Sequence, residues 1–246
     1  MDPLTATAAA GLRSRMESLD LLANNLANAG ASGYKSDREF YGVYRAAEAD
    51  AGDAVMPNIE RHWTDYSQGA LSETGNPLDL ALSGKGFFAV DGPGGPLYTR
   101  NGSFRVTAAG RLATEDGYPV RAAAGTAPNN VFTLEAGKRI EISPDGAVRQ
   151  EGQLMGRLEV VDFTSTAGLN KQGRSYFRNL DPKTRPAPAA SATVEQGKLE
   201  ASNTGSAESA VRLVSVMRHF EMLQRAVTLG GEMNRRAIEE VARVGA

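Results

Sequence analysis

LDLLANNLANAGASGYKSD, residues 19–37, carries the reading of the whole chain. It lies at the end of a helical pattern in which Leu12, Met16, Leu19, Ala23 and Leu26 are separated alternately by four and three residues, one continuous apolar stripe with coiled-coil spacing. Pro3 suits a first helical turn, and Gly30 and Gly33 suit a stop. A helix of about 25 residues spans roughly 37 Å, long for one that merely caps a small domain. Asn24, Asn25 and Asn28 crowd its end, although asparagine is a mediocre helix former that competes for nearby backbone groups. On a wheel advancing about 100° per residue they fall opposite the leucines. Solvation or simple helix termination accounts for one such asparagine. Three clustered around an alanine favour contact, because amides both donate and accept and are cheaper to bury than charge. If the amide-bearing side is occupied as well as the apolar one, a single intramolecular partner is insufficient, which implies assembly.

The C-terminal end repeats the pattern. Leu213, Val216, Phe220, Leu223 and Val227 alternate three and four, Ser202, Asn203 or Ser206 is available as N-cap, and Glu208 sits near the positive end of the helix dipole. Between the helices the period changes. Leu78, Leu80 and Leu82 alternate, Gly84-Lys85-Gly86 reads as a hairpin turn before the apolar FFAV, and Asn101-Gly102 reads as a type I′ hairpin turn. Turn signals recur at Gly110, Asp116-Gly117, Pro144-Asp145-Gly146 and Glu151-Gly152. The expected fold is α+β: a central antiparallel all-β domain, barrel-like or sandwich-like, flanked by long coiled-coil-type helices at both chain ends. The expected layout is an N-terminal helix over 1–30, a connector over 31–59, the β domain over 60–180, a Pro/Ala-rich return linker over 181–200 and a C-terminal helix over 201–246.

Apolar residues at 41 % and charged residues at 23 % are ordinary for a globular chain of 246 residues, and 27 glycines point to many turns. A net charge of -2 with no long basic run leaves no electrostatic footprint for nucleic acid or anionic membrane. No apolar run approaches a membrane span. Asp2 and Arg13 break the pattern of a cleaved secretory signal, so the N-terminus reads as mature structure.

An enzyme reading starts poorly. There is no cysteine, and the two histidines, His62 and His219, stand far apart in contexts that suit solvation or packing. No metal-ligand cluster or nucleophile elbow is present, and SGKGFF lacks the spacing of a phosphate-binding loop. Carboxylates such as Glu115-Asp116 fall in turns, where exposure explains them. No cofactor and no metal are expected. The rivals to an assembly role are a secreted carbohydrate-binding β module with helical extensions and an enzyme whose acids meet only in space.

The LANNLANAGASGYKSDREF segment resembles the N-terminal signature of the bacterial flagellar rod and hook axial proteins. LDLALSGKGFFAV, YTRNGSFRVTAAGRL and LEASNTGSAESAVRLVSVMRHFEMLQRAV resemble the family's other hallmark segments, in the family's order. The resemblance implies a structural subunit that is exported without a cleaved signal through the flagellar type III apparatus. It would polymerise helically with itself and other rod and hook proteins in the basal-body rod, across the periplasmic space. Terminal helices would build the inner tube and the β domain would face outward, with neither nucleic acid nor membrane insertion involved. Leu12, Met16, Leu19, Ala23, Asn24, Asn25, Leu26, Asn28, Leu213, Val216, Phe220, Leu223 and Val227 are the subunit-packing residues it suggests. The modest length disfavours a hook protein. Phe220, where distal-rod and hook relatives commonly carry tyrosine, points to the F-type proximal rod, with the G-type distal rod as alternative. Thr204 departs from the apolar residue usual after Ser-Asn.

Overall fold

The computed structural model describes residues 3–45 and 55–244; residues 46–54, within the expected connector, lie outside this set. Two compact units emerge. The helical unit comprises Met1–Ala27, Ser36–Asp65 and Gly205–Ala246, and the β unit comprises Asn28–Lys35 and Tyr66–Thr204.

In the helical unit, α1 spans Pro3–Ala27 and α2 spans Ser206–Val244, 25 and 39 residues. The helices pack on each other: a Cβ added at Gly11 would lie 3.5 Å from Leu223 Cδ1. The first turn of α2 carries Glu208 as expected, but the N-cap position falls to Gly205, whose carbonyl accepts from Ser209 N at 2.9 Å. Asp37–Arg45 and Val55–Thr64, where a connector was expected, form an antiparallel ribbon with Asp37 opposite Thr64 and Arg45 opposite Val55. The run EFYGVYR is dense in aromatic and β-branched residues that suit a pleated surface. Its partner strand lies beyond the local window that a turn signal covers.

The β unit is built from antiparallel ladders. Its largest sheet runs in the order Leu169–Gln172, Tyr176–Asn179, Gly95–Thr99, Phe87–Gly92, Val160–Asp162, Ala187–Pro188. Successive residues of the run FFAV serve opposite faces. Phe88 and Val90 join a core with Leu80, Phe104, Phe132 and Val148, whereas Phe87 and Ala89 join a second with Tyr98, Phe163 and Phe177. A strand covered on both faces loses the polar alternation, which is why this stretch reads as continuously apolar. A three-stranded sheet runs Gln153–Arg157, Ala147–Gln150, Ile140–Ile142, and three strand pairs complete the unit: Phe104–Val106 with Leu112–Thr114, Leu80–Ser83 with Thr193–Gln196, and Leu71–Glu73 with Lys198–Glu200. The expected return linker therefore supplies strands.

Two expected hairpins are not hairpins. Leu80–Ser83 and Phe87–Gly92 belong to different sheets, so Lys85 lies on a crossing turn. Asn101-Gly102 likewise separates strands that pair elsewhere: Asn101 Oδ1 accepts from Ser103 N at 3.0 Å, and Gly102 O accepts from Leu80 N at 3.0 Å. A Cβ at Gly102 would stand 1.8 Å from Leu80 O, so glycine is needed there for close approach of two backbones, not for a hairpin turn.

Candidate assembly surfaces and a buried ionic cluster

Within the helical unit the 3/4 stripe of α2 turns inward. Leu213, Phe220, Leu223 and Val227 are half-buried and Val216 is buried. The opposite side of α2 remains apolar and open: Val211, Val214, Met222, Leu229 and Met233 fall on one stripe and are 49–73 % exposed. On α1 the leucine stripe is half covered, with Leu12, Leu19 and Leu26 half-buried, Met16 55 % exposed and Ala23 exposed. The buried side of α1 is the one carrying Ser14, Ser18, Leu22 and Asn25.

Asn25 explains part of the asparagine cluster. Its side chain lies 6 % exposed and clamps one residue of the ribbon: Nδ2 donates to Asp37 O at 2.7 Å, and Oδ1 accepts from Asp37 N at 3.0 Å. A primary amide presents a donor and an acceptor at the spacing of a peptide group, so it substitutes for a neighbouring strand at the ribbon edge. Ser18 Oγ donates to Glu39 Oε2 at 2.9 Å, and Arg212 Nη2 of α2 stands 3.7 Å from the same oxygen, so Glu39 ties the ribbon to both helices. Asn24 is exposed; Asn28, which opens the β unit, is half-buried and its carbonyl accepts from Ala31 N.

The β unit holds a feature that periodicity does not reveal. Glu200, fully buried, receives Lys35 Nζ at 2.5 Å and Arg100 Nη1 at 3.1 Å, and both cations are also buried. Gly69 N donates to Glu200 Oε1 at 2.9 Å, Lys35 Nζ also donates to Ser67 O at 2.6 Å, and Arg100 Nη2 donates to Gly84 O at 2.7 Å. Burial pushes the Arg100 guanidinium below its ordinary pKa, and Glu200 opposes that shift. Two cations share one carboxylate, and the carbonyl dipoles of Ser67 and Gly84 supply the remaining negative potential. Lys35, Arg100 and Glu200 come from GYKSD, YTRNG and KLEASN, three of the segments singled out in the sequence. Only in YTRNG does the charged residue stand alone in an otherwise uncharged segment; Asp37 and Lys198 accompany Lys35 and Glu200, so the sequence carries little local signal for the cluster.

Among the described residues no group of His, Cys, Asp or Glu is placed to hold a metal, and no helix is long and apolar enough to cross a membrane. His62 and His219 are exposed.

Comparison with known proteins covers two of these segments by family models. Residues 81–150 match the flagellar hook protein FlgE/F/G D1 domain, and residues 195–240 match the flagellar basal body rod FlgEFG protein C-terminal region. The flagellar basal-body rod protein FlgF of Caulobacter vibrioides is 31 % identical over 236 residues, covering 92 % of each chain. This chain belongs to the flagellar basal-body rod protein family. Rod proteins of both types stand among its relatives. The FlgF of Rhizobium meliloti is 32 % identical over 82 % of this chain and 83 % of its own, and the FlgG of Buchnera aphidicola from Schizaphis graminum is 29 % identical over 91 % and 94 %. In this rod protein, Arg100 lies in the segment matched to the D1 domain, and Glu200 and most of α2 lie in the segment matched to the C-terminal region. Thr204, where the family resemblance leads one to expect an apolar side chain, has a buried hydroxyl without a hydrogen-bond partner among the described residues.

Proposed function

We propose that the chain is a structural subunit that polymerises helically through its terminal helices and transmits torque along the flagellar rod. One observation carries the proposal: α2 is apolar on two opposite sides, one covered within its own unit and the other, from Val211 to Met233, open. A helix apolar on two sides needs a second neighbour, and in a homopolymer that neighbour is another copy. Met16, Ala23 and Asn24 on α1, with the open edges of Leu12, Leu19 and Leu26, form the complementary face; Asn25, Val216 and the inward stripe of Leu213, Phe220, Leu223 and Val227 hold the protomer together. In the assembled state these helices wind as coiled-coil-type pairs around the export channel.

On this reading the position is the F-type, proximal part of the rod in the periplasm, reached through the flagellar type III export apparatus. The match to FlgF relatives over most of both chains supports the F-type assignment. The G-type distal rod is the second reading, favoured by FlgG relatives matched over comparable lengths.

The test is Val214→Asp in the full chain. Rods and motility should be lost while the purified monomer keeps its helical content and melting temperature. Intact rods carrying that aspartate would remove the open face of α2 from the interface. Tagged copies located along purified basal bodies would separate proximal from distal placement.

A further inference from the structure

The last stretch of the β unit, residues 193–204, is bound along a groove made by sequence-distant parts of the same unit. Among the described residues, Thr193–Gln196 is the strand laddered to Leu80–Ser83, and Lys198–Glu200 the one laddered to Leu71–Glu73. Between and beyond those ladders almost every residue is tied. Val194 N donates to Pro144 O at 2.8 Å, and Gln196 uses both ends of its amide, Nε2 donating to Ile140 O at 3.0 Å and Oε1 accepting from Ile142 N at 3.1 Å. Gly197 N donates to Asp79 O at 2.8 Å and Ala201 N to Ala70 O at 2.8 Å, while Glu200 O accepts from Gly33 N at 2.7 Å. Asn203 Nδ2 donates to Ser67 O at 3.2 Å. The approach is close enough that a Cβ at Gly69 would stand 2.0 Å from Ala201 O.

We propose that residues 193–204 form a closing strap, a segment that seats in this groove last and opens as one piece, with Glu200 as its lock. The physical reason is charge. Lys35 and Arg100 are 0 % and 4 % exposed, and their shared counterion comes from the strap. With the strap away, the two cations would lose the carboxylate they share while still buried, which is far costlier than exposing them. The groove therefore has two acceptable states, strap seated or strap out with Lys35 and Arg100 open to water, and intermediate seating is disfavoured. Closure joins residues 165 apart, so the loop entropy delays this contact relative to nearby ones. A cavity of about 700 Å³ is lined by Pro186, Pro188 and Ala192 ahead of the strap, by Thr193 and Val194 at its start, and by Leu158 and Val161.

Native-state hydrogen exchange on the full-length monomer tests the strap independently of polymerisation. Amides bonded across the strap, those of Gly33, Ile142, Val194, Gly197 and Ala201, should exchange through one common opening. Glu200→Gln should raise that opening together at all five by about 100-fold or more, the scale of a broken buried ion pair. The amides of Ala89 and Val120, which bond to Glu159 and Leu112, should change less than about threefold, the level of a site outside the network. Equal acceleration at Ala89 and Val120 would make Glu200 an ordinary stability determinant and overturn the strap. Scattered rates among the five amides, or no acceleration, would overturn it as well. Should Glu200→Gln fail to fold, Gln196→Ala removes bonds at the opposite end without leaving a charge. It should accelerate Gly33 and Ala201, which Gln196 does not touch; acceleration confined to Ile142 would again refute a strap that opens as one.

Discussion

The two units of this rod protein solve the same problem, holding sequence-distant segments together, by opposite means. The helical unit uses side chains one at a time: Asn25 on Asp37, Ser18 and Arg212 on Glu39, Arg38 on Asp65 at 2.8 Å. The β unit uses a dry core on both faces of its main sheet, and concentrates its buried charge in one fully enclosed triad. The lesson concerns where surface is left over. The β unit encloses its large apolar side chains, with Leu154 and Leu180 as exceptions, whereas α2 leaves a row of them in the open. On the proposed assembly role, a part complete alone and a part completed by neighbours differ in that way.

The contrast can be broken by mutation. The largest effect is expected from Phe88→Ala in the fully buried core of the β unit, a loss of about 3–5 kcal/mol, measured by denaturant unfolding followed with probes in each unit. Loss of both units in a single shifted transition would mean that they form one cooperative block. Asn25→Ala should cost about 1–3 kcal/mol by leaving the Asp37 amide and carbonyl without their side-chain partner, and faster exchange at the Asp37 amide reports it. An unchanged rate there would reduce the clamp to a passive contact. Thr204→Val should stabilise the β unit by about 1 kcal/mol, because it replaces an unsatisfied buried hydroxyl by a methyl of the same shape. A lower melting temperature would show that the hydroxyl is used. Smallest of all, Arg13→Ala should change monomer stability by less than about 0.5 kcal/mol, since the 3.5 Å pair with Glu17 has its arginine 85 % exposed. A larger loss would mean that single surface pairs matter in this unit after all.

The legible parts of the fold were those that depend on neighbours three or four residues away, or two. The stripe from Leu12 to Leu26 and the stop near Gly30 delimit a helix that runs from Pro3 to Ala27. The run FFAV is a strand covered on both faces. Where turn chemistry had two uses, the local signal misled: Asn101-Gly102 suits a type I′ turn, yet its asparagine closes an Asx turn and its glycine admits the Leu80 backbone. The ribbon of Asp37–Arg45 and Val55–Thr64 was missed because its pairing partner is not announced by an adjacent turn. The asparagine cluster was read as a contact face, and the structure gives Asn25 a contact inside its own unit.

What the sequence by itself determined is the order of elements and the period of each, two helices with apolar stripes around a region of short antiparallel strands, because periodicity is a property of residues close in the chain. Which side of each helix is covered, what Asn25 holds, and the meeting of Lys35, Arg100 and Glu200 were decided only by the tertiary structure. The last of these joins residues 35, 100 and 200, and no local pattern encodes a charge balance that exists only once the water between such segments has been expelled.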